Sequence, residues 1–254
     1  MRLQLAVLIV LAAATTTAPT RGSETEEEQR HRQALEHYRK GQDAMTSERL
    51  EQAVQEFKAA IQLDPLLTLA HYRLGQAHMA LKEYAQAQWD FLGCREAYEK
   101  LGSLQVTDRE EVERRRDEEI DYLENYLGLV QSGQVKSSNP SLPIQIQQHI
   151  DQLRRNRRKG ASDVSSVPAE VSVSLGSAYF RQNKLEEAEK EWKLAAENNP
   201  RVGEAHNNLA ALYLMTNRLD DAEKELKLAE KTGYPVHPRL KDDIKKARKA
   251  AAPK

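Results

Sequence analysis

Seven histidines, one cysteine and a tight basic run are the side chains in this 254-residue chain whose types suggest chemistry. A helical zinc site needs spacing such as H-E-x-x-H, which places two imidazoles on one helix face. No histidine pair has it. With Cys94 alone, neither an internal disulfide nor a multi-cysteine zinc site can form. Serines occur without a G-x-S-x-G elbow, no glycine loop is built to cradle phosphate, and carboxylates fall in helix-surface runs such as Glu26–Glu28 and Glu186–Glu187. No catalytic residue, metal ligand or cofactor is therefore expected, and the chain reads as a non-enzyme. Arg154, Arg155, Arg157, Arg158 and Lys159 close a helical pattern, where cations offset the negative end of the helix dipole. The same run, Arg154–Lys159, offers peripheral contact with an anionic surface, either phospholipid headgroups or an acidic partner.

The elements that position these residues belong to a polar, charge-laced chain. Charged residues make up 30%, aromatics 6%, and mean hydropathy is -0.75. A net charge of -1 gives no global attraction to nucleic acid. Residues 1–22 have the layout of a secretory signal peptide: Arg2, an apolar stretch from Leu3 to Ala14, then small residues before the acidic run at Glu24. Export to the periplasm or the extracellular space is the expectation. Removal of that leader takes away Arg2 and Arg21 and moves the net charge from -1 to -3.

Internal repetition is strong. Gly41, Ala53, Phe57 and Ala60, followed by Pro65, recur 34 residues on as Gly75, Ala87, Phe91 and Cys94 without the proline. The pattern returns as Gly176, Ala188, Trp192, Ala195 and Pro200, and again as Ala210, Ala222, Leu226 and Ala229. Small residues permit two helices to approach, a large apolar residue fills the space between neighbouring pairs, and Pro65 and Pro200 stop the second helix. In this register His37, His71 and His206 share one early position of the first helix, and His78 takes an aromatic position, so they read as packing residues.

Over residues 34–101 and 169–235 these positions resemble the tetratricopeptide repeat, a helix–turn–helix unit. The resemblance implies an all-α solenoid. Departures include Lys40, Ala44 and His78 at apolar or aromatic positions. Residues 102–168 lack the motif. Thr107-x-x-Glu110 reads as a capping box, and Ile120, Leu123, Leu127 and Val130 form one helical stripe. Ser132–Leu142 reads as a loop, and Pro143 opens a second helix with Ile146, Ile150 and Leu153 facing inward. Lys159–Val167 reads as a connector. The expected organisation is a signal peptide (1–22), two repeats (23–101), a divergent helical hairpin bridging the repeat pairs (102–168), two repeats (169–235) and a C-terminal capping helix with its tail (236–254).

The resemblance also implies a concave surface lined by the first helix of each repeat. It would carry Leu35, Tyr38, Gln42 and Met45, then Leu69, Tyr72, Gln76 and Met79, and further along Phe180, Asn207 and Met215. Apart from Met1, every methionine lies here. Methionine and tyrosine make an adaptable apolar face with polar tips. The expected function is a non-catalytic adaptor or scaffold holding a peptide segment of a protein partner in the cell envelope. Two alternatives stand beside it: the hairpin covers this face, or the chain self-assembles into a homo-oligomer through its repeat edges.

Overall fold

The computed structural model describes residues 26–103, 109–134 and 167–251, with residues 143–144, 146–147, 150–151 and 153–154 between them. The expected leader, Thr107 and the Arg155–Lys159 part of the basic run lie outside the described residues. The described chain forms ten helices and no strand. They are α1 (Glu26–Thr46), α2 (Leu50–Leu63), α3 (Thr68–Ala80), α4 (Tyr84–Ser103) and α5 (Arg109–Gln131). Then come α6 (Ala169–Arg181), α7 (Leu185–Asn198), α8 (Gly203–Met215), α9 (Leu219–Lys231) and α10 (Pro238–Ala251). Helix α2 shows why: Ala53, Val54, Phe57 and Ala60 recur at three- and four-residue spacing and are all buried. It ends at Leu63, before Pro65, and α7 ends at Asn198, before Pro200.

Helices pair as α1–α2, α3–α4, α6–α7 and α8–α9. The glycines set how closely. A Cβ added at Gly75 would lie 2.5 Å from the Phe91 ring, and one at Gly41 equally close to Phe57. Where the fourth unit has Ala210, the ring is replaced by the thinner Leu226. Each pair turns through the same Schellman motif. Arg49, Glu83, Lys184 and Arg218 donate their backbone N–H to the carbonyls of Ala44, His78, Tyr179 and Tyr213 at 2.7–3.0 Å. The residue before each donor is left-handed: Glu48, Lys82, Asn183 and Asn217 have φ of 57 to 63°.

The two repeat pairs make one continuous stack, because α4 packs directly on α6. Arg95 of α4 donates two hydrogen bonds to the Glu191 carboxylate, at 2.5 and 3.2 Å, and Gln182 donates to the Tyr84 carbonyl at 3.1 Å. At the far end α10 closes the last pair with Ile244, only 2% exposed.

Helix α5 follows α4 in sequence but does not separate α4 from α6 in space. Ile120, Leu123 and Leu127 of α5 form their own small core with Ile146 and Ile150, and Leu153 packs against it. This hairpin lies beside the first pair. Each ring nitrogen of buried His31, on α1, faces a carboxylate oxygen, Asp64 at 2.6 Å and Glu118 of α5 at 2.5 Å. The Arg73 guanidinium of α3 sits 4.8 Å from the centre of the Tyr126 ring of α5. Arg154 is ion-paired with Glu124, so the described end of the basic run already has an anionic neighbour within the hairpin.

Candidate functional site

The first helices of the repeats carry the expected surface, but their side chains divide into three groups. Tyr38 is the clearest correction. It is only 4% exposed, its ring lies 5.8 Å from Phe57, and its hydroxyl accepts a hydrogen bond from Gln42. Burial against the second helix makes it core, not ligand surface. Tyr72 and Met79 are also drawn inward, into the seam between the second and third repeats with Phe91, Leu175 and Ala178. The Tyr72 hydroxyl lies 3.1 Å from Ser174 Oγ, and burial pushes its phenol up to about 12. Phe180 repeats the arrangement one unit on, half-buried with its ring 5.6 Å from Trp192.

A second group stays at the surface of the groove. Gln42 and Met45 border an open cleft of about 500 Å³, with Thr46, Glu48, Arg73, Tyr126 and Gln134 around it. The cleft runs between α1, α3 and α5, so the hairpin forms one wall. Leu35 and Leu69 are half-buried and pack on the core of the first pair. Leu69 also borders a smaller cavity of about 120 Å³, reached by Tyr72, Arg73, Leu123 and Glu170. Gln76 accepts a hydrogen bond from Arg73 at 2.7 Å and holds that guanidinium against the hairpin, not toward a ligand.

The third group lies on the second pair. Asn207 is half-buried, and Met215 is 62% exposed. Two residues here escaped the sequence reading, which looked for apolar and amide side chains. At the position held by Leu35 and Leu69 in the first pair, the third and fourth repeats carry Glu170 and Glu204. The 34-residue spacing was the signal that could have found them. Burial, and then the nearby Glu170 charge, push the Glu204 carboxyl above the usual glutamate range.

His37, His78 and His206 each bond across a helix pair, and His71 bonds the loop before α3. His37 meets Glu56 at 2.8 Å and His206 meets Glu225 at 2.6 Å, the same bond in two repeats. In the second repeat the corresponding acid, Asp90, is bonded by His78 at 2.5 Å, while His71 bonds the Pro65 carbonyl at 3.0 Å. Burial lowers the pKa of His71. Cys94 is buried and directs its thiol at the Thr68 carbonyl. Among the described residues there is no group of three or more His, Cys, Asp or Glu placed to hold a metal ion. No described helix is long and apolar enough to cross a membrane.

A tetratricopeptide-repeat family model matches residues 173–238, and a second TPR-repeat model matches residues 41–82. Curated proteins gave no match. Among solved structures, the chain is similar to YrrB, described as a TPR protein with an unusual peptide-binding site. Identity is 19%, coverage 87% of this chain and 95% of that one, and the TM-score 0.29. It is also similar to the type IV pilus biogenesis factor PilW, at 17% identity, 86% and 87% coverage and a TM-score of 0.39. A thermophilic TPR protein from Thermus thermophilus, TTC0263, aligns at 19% identity, 85% and 98% coverage and a TM-score of 0.35. Tetratricopeptide-repeat proteins generally mediate protein–protein interaction and are generally non-enzymatic. Two family models fall on the two repeat pairs, and all four units share one turn and one small-residue register: the chain carries tetratricopeptide repeats, matched over residues 41–82 and 173–238.

Proposed function

We propose that the chain is an exported, non-catalytic adaptor that holds a segment of a partner protein against its concave face. The observation that carries this reading is the open cleft of about 500 Å³ on the first pair, with Gln42 and Met45 on one side and Tyr126 on the other. It combines a flexible thioether, an aromatic ring and amides, the mixture that grips a peptide by apolar contact and backbone hydrogen bonds. Tyr38, Tyr72 and Met79 support that surface from beneath. Partner capture from the native host, compared with the Met45→Glu variant, tests the reading. Loss of the partner with helicity intact supports it. Equal capture by both proteins, or self-association by light scattering as the sole interaction, contradicts it. Export is read from residues 1–22 alone, and N-terminal sequencing of the mature protein tests it. A chain that still begins at Met1 contradicts that part.

A further inference from the structure

The concave face changes character along the stack. On the first pair it is apolar and amide-rich, and α5 stands over it. On the second pair, the helix-A position nearest the start of each unit is acidic, Glu170 and then Glu204, while the far end is apolar. Glu170 is exposed and Glu204 half-buried. Among the described residues neither carboxylate has a hydrogen bond or an ion pair. That sets them apart from Glu189, Glu191, Glu223 and Glu230, each held by a lysine or arginine. Burying one carboxylate near another without a cation is costly, as the raised pKa of Glu204 records. At the other end Met215 is 62% exposed, and Phe180 and Leu214 are half-buried against the core of the second pair.

We infer that this face docks a segment of a partner protein in which a lysine or arginine meets Glu170 and Glu204 and large apolar side chains meet Phe180, Leu214 and Met215. Charge complementarity selects the occupant, since an ammonium or guanidinium offsets the burial of the Glu204 carboxylate and, after it, the nearby Glu170 charge. The dimensions suit an extended strand. Glu204 and Met215 are eleven residues apart on α8, or roughly 16 Å along its axis, which about five extended residues span. Asn207 lies on the same face between them and offers an amide to the segment's backbone. The inference rests on the reading of the concave surface as the partner-binding one.

The experiment is to pan the purified protein against a random library of peptides about twelve residues long. A recovered peptide, fluorescently labelled, is then titrated onto wild type, Glu170→Gln/Glu204→Gln and Met45→Glu. The inference expects recovered peptides rich in Lys or Arg next to Leu, Met or Phe. Their affinity should fall about tenfold or more in the double Gln variant and with added salt. Peptides without basic residues, lost in Met45→Glu and unaffected by the Gln variant, would overturn the inference and leave the concave reading standing. Recovery of no peptide would overturn both. A denaturation curve closes the remaining route. The Gln variant should be at least as stable as wild type at neutral pH, and a marked loss would mean that the chain's own cations already hold these carboxylates, which overturns the inference.

Discussion

Single side chains set both the closeness of the helix pairs and their charge. Gly75 and Phe91 are coupled by contact. A helical Gly→Ala change ordinarily gains about 1 kcal/mol, but here the new Cβ would lie 2.5 Å from a ring only 1% exposed. Gly75→Ala is therefore expected to cost about 1–3 kcal/mol by overpacking. Phe91→Leu should rescue part of that loss, reproducing the Ala210 and Leu226 pairing of the fourth unit. Additive losses in urea unfolding of the double variant would show that the two do not meet. Glu204 makes a pH prediction. Its folded pKa is raised, so the folded state prefers the protonated acid. Its favourable contribution is present below the ordinary glutamate range and is lost as pH rises through the folded value. Glu204→Gln should raise the unfolding midpoint at neutral pH and leave it unchanged below about pH 4. A gain of equal size at both pH values would contradict this origin.

At the scale of the element, the turn between paired helices demands a left-handed residue. Asn183 and Asn217 suit that conformation, whereas Glu48 and Lys82 lack the short polar side chain that eases it. Lys82→Gly should stabilise the protein by about 0.5–1 kcal/mol, because the Cβ strain outweighs the added freedom of the unfolded chain. A loss measured by chemical denaturation would mean that the Lys82 side chain contributes more than its backbone costs. The helices themselves were legible from small and aromatic residues in fixed phase, since each such residue packs against a neighbour within its own or the next unit. The candidate surface was less legible. Position along helix A places Tyr38 on the groove side, yet Phe57 beneath it provides a better apolar contact than solvent does, and the ring turns inward. Tyr72 and Met79 follow because the third repeat stacks directly on the second, a contact that no local pattern in residues 102–168 announces.

For the whole molecule, the hairpin is an insertion into a continuous superhelix. The repeat register that starts at Ala34 and Thr68 next falls at Gly102, and Ala169 resumes it. Deleting residues 102–168, with 98–101 replaced by the Asp-Pro-Leu-Leu of the first junction (64–67), should therefore give a folded four-repeat protein that unfolds cooperatively. Loss of helical structure beyond the deleted residues would show that the stack needs the hairpin. Its seat beside the first pair depends on His31 meeting Asp64 and Glu118, residues far apart in sequence that carry no periodic signal. The spliced protein also separates two roles of α5, since its loss removes the Tyr126 wall of the cleft while leaving Gln42 and Met45 in place.

The most direct measurement places a photo-cross-linking amino acid at Met45 in the cleft, at Met215 on the second pair, or at Trp89, 70% exposed on the second helix of its repeat. Each variant would be expressed in the native host and irradiated. The account predicts adducts with one partner protein from Met45 and Met215 and none with that partner from Trp89. Adducts with the partner from Trp89 alone, or adducts only between copies of the chain from all three positions, would contradict it.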